Sequence, residues 1–221
     1  NGDSIRYSDP EGPGQTGATL QLLKVGKPIG QFFSLRYAGK DQNGVSTFYK
    51  ADGTTTTSPA IGTDYFYVGN AQPKLLMGWS NSVRYGNWDL NIFLRGVFGN
   101  KIFNATRADL SYTLAAAQNN ILNSAKDDKI TDNRNSYYST RYIESGNYIR
   151  LDNATLSYTF GSPVKGITNL RVYATGNNLL TITNYSGIDP EINQGGVAPG
   201  IDYNNFFPKT RTIMFGLNLT F

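Results

Sequence analysis

Histidine and cysteine are both absent from this 221-residue sequence. Their absence removes the zinc sites those ligands build, thiol chemistry, and every histidine-based triad or proton relay. It also removes disulfides, so the redox compartment cannot be read. No run approaches the roughly 18 apolar residues of a membrane helix, which excludes a helical membrane protein. Charge is sparse, with 20 basic and 16 acidic residues dispersed along the chain for a net +4. A basic stripe suited to nucleic acid does not occur, and no metal or cofactor is expected. A starting Met and a signal peptide are missing too. The sequence is therefore expected to be a processed chain or the later part of a longer one.

What is abundant suits strands and turns: 15 Tyr, 12 Phe and 24 Gly, with many Asn, Thr and Ser. A hydrophobic content of 39% is no obstacle to a membrane β-barrel, whose lipid face shows only on every second residue. Residues 210–221, TRTIMFGLNLTF, carry the pattern most clearly. Ile213, Phe215, Leu217, Leu219 and Phe221 share one parity; Thr210, Thr212, Met214, Gly216, Asn218 and Thr220 share the other. Side chains alternate across a strand, so one face is greasy and the other mild and uncharged.

The same alternation predicts strands at 74–85, 88–99, 147–160 and 169–183, with Leu90, Ile92 and Leu94 on the apolar face of the second. Gly86-Asn87 makes a tight hairpin turn. In 147–160, Ile149 and Leu151 have the opposite parity to Ala154, Leu156 and Tyr158, which predicts a bulge or twist near Asp152. Upstream, 1–31 reads as irregular ordered loop with an apolar patch at Leu20, Leu22, Leu23 and Val25. Residues 32–49 read as a hairpin turning at Asn43-Gly44, and 50–64 as loop. Leu110, Leu114, Ala117, Ile121 and Leu122 recur at helical spacing behind a capping-box-like Thr106 and Asp109, predicting a short amphipathic helix.

Connections alternate between short (86–87, 161–168) and long (100–146, 184–209). In an up-and-down meander both short turns lie at one end and both long loops at the other, as in outer-membrane barrels. Tyr85, Trp88, Tyr158, Phe160 and Phe221 then fall at the short-turn end, Phe98 and Tyr148 near the other. The competing architecture is a soluble β-sandwich. Five strands cannot close a barrel, so further strands are expected to pair with the edges of this sheet. The fold expectation is all-β: an antiparallel up-and-down transmembrane barrel segment (74–221), preceded by an external loop region with a hairpin (1–73).

Five stretches resemble the C-terminal part of SusC/RagA-family TonB-dependent transporters of Bacteroidota outer membranes. They are GKPIGQFFSLRYAG (26–39), DYFYVGNAQPKLLMGWSNSVRYGNWDLNIFLRGVFGNKIFN (64–104), SGNYIRLDNATLSYTF (145–160), LRVYATGNNLLTITNYSGIDPEI (170–192) and TRTIMFGLNLTF (210–221). The resemblance implies the last strands of a 22-stranded barrel with a plugged lumen. It implies as partners the rest of that barrel and its plug, a SusD-type surface lipoprotein over the external mouth, the TonB complex and membrane lipids. It implies import of an oligosaccharide or peptide, and no enzyme activity. Gly216, Leu217, Leu219 and Phe221 match the pattern of a barrel-assembly signal, and the same stripe serves as lipid-facing surface. A passive porin-like barrel and a soluble carbohydrate-binding sandwich are the alternatives.

In the loops, Asp189-Pro190-Glu191 reads as a rigid turn, or as a contact to the lid or substrate. Tyr137, Tyr138, Tyr142 and Tyr148 either pack within the loops or stack on sugar rings. Asp127, Asp128 and Asp132 lack the spacing of a calcium loop. No pair of carboxylates is marked out for glycosidase chemistry.

Overall fold

The computed structural model describes residues 4–7, 19–113, 116, 120–132, 138–192, 198–203 and 207–221. In chain order its strands are β1 (Ser4–Tyr7), β2 (Gln21–Lys24), β3 (Gln31–Leu35), β4 (Tyr37–Lys40), β5 (Ser46–Tyr49), β6 (Thr55–Thr56), β7 (Tyr65–Asn70), β8 (Leu75–Tyr85), β9 (Trp88–Phe98), β10 (Lys101–Asn104), β11 (Ile143–Ser145), β12 (Tyr148–Thr159), β13 (Asn169–Thr183), β14 (Ile201–Asp202) and β15 (Thr212–Thr220). Helices α1 (Ala105–Leu110) and α2 (Asn123–Asp128) lie between β10 and β11. The chain divides into two compact units.

The first unit comprises Asn1–Pro73, Gly99–Gly146 and Tyr185–Phe206. It holds three small sheets, ordered β1-β2-β3-β7, β4-β5-β6 and β11-β10-β14. Its main core joins Leu20, Phe32, Phe103, Ala108, Tyr142 and Ile201, and Leu35, Phe48 and Tyr65 form a second cluster. Short strands with buried aromatics suit a unit whose connections are long.

Several expectations are corrected here. The apolar patch around Leu20 and Leu22 is not loop: both side chains are buried, and the segment pairs with β1 and β3. The hairpin is shorter than 32–49. Tyr37 to Lys40 pairs with Ser46 to Phe48, whereas β3 pairs with β7 in another sheet. The turn is held by Asp41, whose carboxylate accepts from the amides of Asn43 (2.9 Å) and Val45 (2.8 Å). Gly44 takes φ +81 there, a left-handed conformation that an L side chain resists.

The helix also differs. Its N-cap is Asn104, whose Oδ1 accepts from the Arg107 amide at 2.9 Å, and not Thr106. α1 ends at Leu110, and Ile121 and Leu122 precede the separate α2. Leu114 and Ala117 lie outside the described residues.

The second unit comprises Lys74–Phe98, Asn147–Asn184 and Phe207–Phe221. It is one antiparallel sheet, ordered β15-β13-β12-β9-β8. β8 and β9 pair in continuous register from Leu75↔Phe98 to Tyr85↔Trp88. Gly86 takes the first corner of the two-residue turn at φ +57, the position where a tight hairpin turn needs positive φ.

Register breaks between Leu151 and Asn153, leaving Asp152 without a cross-strand partner. The same interval runs from Phe93 to Arg95 in β9, Asn153 to Arg150 in β12, and Asn177 to Thr181 in β13. Each successive strand thus takes one more residue to cover it. β13 absorbs its extra length at Asn178, φ +53, whose Nδ2 donates to the carbonyls of Lys209 (2.8 Å) and Thr210 (3.3 Å). Asn tolerates that conformation better than most residues.

Candidate functional site

Register puts a single set of side chains on each face of the five-stranded sheet. One face carries the rows Val83–Leu90–Leu156–Ala174–Phe215, Tyr85–Trp88–Tyr158–Val172–Leu217 and Asn81–Ile92–Ala154–Gly176–Ile213. Beyond the bulge the row Trp79–Leu94–Leu151–Leu180 continues it. Asn81 is the one polar side chain in these rows. Many of the large side chains stand out into open space: Phe215 is 82% exposed, Leu217 61% and Trp79 51%. Leu90, Ile92, Leu94, Ile213, Phe215, Leu217 and Leu219 all lie on this face, and Phe221 is exposed at the end of its stripe. Apolar surface of that extent is rare on a water-facing monomer, and the exposure runs against a sandwich core.

The other face is hydrophilic. Asn91, Thr155 and Thr175 line up with Met214, and Asp89, Ser157 and Tyr173 with Gly216. Thr155 and Thr175 share a hydrogen bond at 2.9 Å. Arg95 Nε donates to Asp152 Oδ2 at 2.6 Å and its Nη2 to Oδ1 at 3.2 Å, a two-pronged pair that fixes the bulge. The pair sets a carboxylate beside Arg95, which stands directly opposite Arg150 in the register. Both guanidiniums lie over the Tyr148 ring, at 5.7 and 5.3 Å. At the hairpin end the rings of Trp88, Tyr158 and Phe160 meet edge to face at 4.8 and 4.7 Å.

In the first unit the polar residues gather around Glu144. Its Oε1 accepts from Arg107 (3.0 Å), the Ser186 hydroxyl (2.7 Å) and Asn104 Nδ2 (3.3 Å), and its Oε2 from the Ser186 amide (2.8 Å). Three segments of chain are thereby tied to one carboxylate. Beside it the Tyr185 hydroxyl donates to Asp202 Oδ2 at 2.5 Å. Burial pushes both groups up, the tyrosine hydroxyl well above its usual range. The Tyr185 hydrogen bond opposes the rise of Asp202, while Asp189 and Glu144 add to it. A cavity of about 290 Å³ opens here, lined by Asn104, Arg107, Ser186, Asp202 and Tyr203 with Leu122 and Ile188. Its mix of a cation, carboxylate, amide and hydroxyls suits a polar guest.

The residues singled out in the loops take structural places. Asp189 is buried and its Oδ1 accepts from the Glu191 amide at 2.9 Å, the geometry of a rigid turn. Tyr138 is 1% exposed and meets Phe103 edge-on at 5.3 Å, so its ring is core. Tyr142 and Tyr148 are buried as well, and Tyr137 lies outside the described residues. Asp128 pairs with Arg141 at 2.7 Å, and Asp132 accepts from Ser46. Among the described residues no group of three potential ligands gathers for a metal. Glu144, Arg107, Tyr185 and Asp202 escaped sequence reasoning, because isolated polar residues 17 to 95 positions apart carry no periodic signal. Asn104 alone had one, an N-cap amide directly ahead of a helical run.

No protein-family model matches the sequence. Curated relatives do. TonB-dependent receptor P3 of Formosa agariphila is 30% identical over 91% of this chain and 23% of its own length. TonB-dependent receptor SusC of Bacteroides thetaiotaomicron is 30% identical over 91% of this chain and 20% of its own. The chain thus spans less than a quarter of either. Among solved structures, the RagAB peptide importer in its closed-closed state superposes with a TM-score of 0.76 at 21% identity. It covers 99% of this chain, which covers 25% of the matched one. The open-open state gives 0.73 at 22% identity, with 99% and 24% covered. A shared fold and this sequence match together make the chain a SusC/RagA-like segment of the TonB-dependent receptors.

Proposed function

We propose that the chain supplies wall strands and external loops to an outer-membrane importer that draws its energy through TonB. The observation that carries this reading is the apolar face that extends across β15-β13-β12-β9-β8, with Asn81 as a polar exception, backed by a hydrophilic one. Hydrocarbon on one side and a wet lumen on the other call for that division. In this reading Leu90, Ile92, Leu94, Ile213 and Phe215 face lipid. Leu217, Leu219 and Phe221 on the apolar stripe, with Gly216 on the opposite face, make up the stretch read during barrel assembly. β8 and β15 each have a bare edge in the sheet, where the remaining strands of the barrel pair.

Residues 1–73, 100–146 and 184–209 lie on the external side in the same reading, beneath a SusD-like lipoprotein. Glu191 and the cavity beside Glu144 face the lid or the substrate, an oligosaccharide or a peptide. The segment does no chemistry; it encloses, and a plug elsewhere in the receptor gates passage. Likeness to the named receptors and to a peptide importer supports this assignment. The test is uptake by cells carrying the intact receptor, with and without TonB. Import that stops without TonB is the expected result. Import that continues indicates a passive pore, and recovery of the protein in the aqueous phase without detergent indicates a soluble domain.

A further inference from the structure

We infer that the apolar face carries a built groove for one acyl chain of an anionic phospholipid, at the hairpin end of β12 and β13. The inference rests on the proposed reading of this face as lipid-exposed. Most of the face is a bristle of large side chains, but here it is hollowed. A depression of about 630 Å³ is lined by Trp88, Leu156, Tyr158, Phe160, Val172 and Phe215, with Ala174 among them. Register explains the hollow. Ala174 sits between Leu156 and Phe215 in its row, so a methyl group stands where its neighbours have large side chains.

The walls are unlike one another. On one side Trp88, Tyr158 and Phe160 brace each other edge to face, which holds those rings upright. On the other Phe215 stands almost fully exposed. A chain of methylene groups fits between such walls, gaining apolar contact along its length without placing any polar group in the groove.

The turn that follows the groove's Phe160 carries a cation. Phe160 leads directly into the turn 161–168, which returns to β13 just before Val172. The turn is held by Phe160 N donating to Leu170 O (2.8 Å), Thr168 N to Thr220 O (2.8 Å) and the Ser162 hydroxyl to Ile167 O (3.0 Å). Lys165 is exposed in this turn, the only charged side chain within it. Aromatic rings at the rim, hydrocarbon-lined hollow and cation beyond match a phospholipid's glycerol, acyl chain and phosphate in that order. A second protein copy would need a broad flat contact, and a groove of this size offers little to one.

The experiment is native mass spectrometry of the intact receptor purified in detergent, titrated with phosphatidylglycerol or with phosphatidylcholine of the same chains. Wild type is expected to retain phosphatidylglycerol preferentially. Ala174→Phe fills the hollow with another apolar side chain and is expected to weaken retention by about tenfold. Lys165→Glu, a change in an exposed turn, is expected to weaken it by about fivefold and to erase the preference. Equal retention of both lipids by wild type, or retention untouched by both variants, overturns the inference. If receptor sediments with the outer membrane while retention is untouched, the groove fails and the barrel reading stands. If it is absent from that membrane, the barrel reading fails first.

Discussion

The ring of Tyr173 lies over the backbone of Gly216, directly across from it in the register of β13 and β15. A Cβ on Gly216 would stand 2.3 Å from the ring carbon bearing the hydroxyl. A side chain at this position would have to push the tip of the Tyr173 ring aside on the hydrophilic face. Gly216→Ala is expected to cost about 1–3 kcal/mol, the range for overfilling a packed site. Heat-resistant folded receptor on a gel should fall, and Tyr173→Ala in the same chain should restore it. A Gly216→Ala variant that assembles normally by itself would show that the ring simply moves aside.

Phe221 closes the apolar stripe of β15 and is almost wholly exposed. If the stripe is read during assembly, removing Phe221 should lower receptor in the outer membrane while leaving its synthesis unchanged. Immunoblots of membrane and total fractions measure both. Equal amounts in the membrane would leave the residue with a lipid-facing role alone.

Glu144 ties Arg107, Asn104 and Ser186 together. Glu144→Ala strips partners from a guanidinium and an amide at once, a loss of about 1–3 kcal/mol for such a charged network. The effect should be local. Amide hydrogen exchange at Ser186 and its neighbours should quicken, while β9 and β12 keep their protection.

Asp202 gives a pH dependence whose sign is fixed. Its carboxyl is raised in the fold, chiefly by burial, so the folded chain binds this proton more tightly than the unfolded chain. Its contribution to stability is greatest in acid. It declines as pH climbs from the ordinary aspartate range through the raised value. Asp202→Asn should flatten that slope. Tyr185→Phe removes the donor that holds the carboxyl down and should shift the decline to higher pH, visible in the infrared carboxyl band.

The five long strands and the Asp152 irregularity were legible because they obey a period of two over many residues, and one break in parity announces a bulge. Asn178 was not, since β13 takes up two residues relative to β9 and returns to the parity it left. The first unit was poorly legible for another reason. Strands of two to six residues are too short for a period to emerge, and pairing such as β3 with β7 is decided by burial of Phe32 and Leu35 across thirty-odd residues. Tyr138 illustrates the limit: a tyrosine in a polar stretch looks available for stacking, and only the position of Phe103 makes it core.

The unequal residue counts near Asp152 have a consequence for anyone altering this wall. β12 is written in two frames. Odd-numbered positions point outward from Ile149 to Leu151, and even-numbered ones from Ala154 onward. Deleting Asp152 would merge the two frames, since Leu151 and Ala154 would then stand two apart like Leu94 and Ile92, whereas a single deletion elsewhere in β12 would turn one half over, exchanging its apolar and hydrophilic faces. Grafts between related walls must therefore be aligned on the Arg95–Asp152 pair, because counting from the nearest turn puts half the strand inside out.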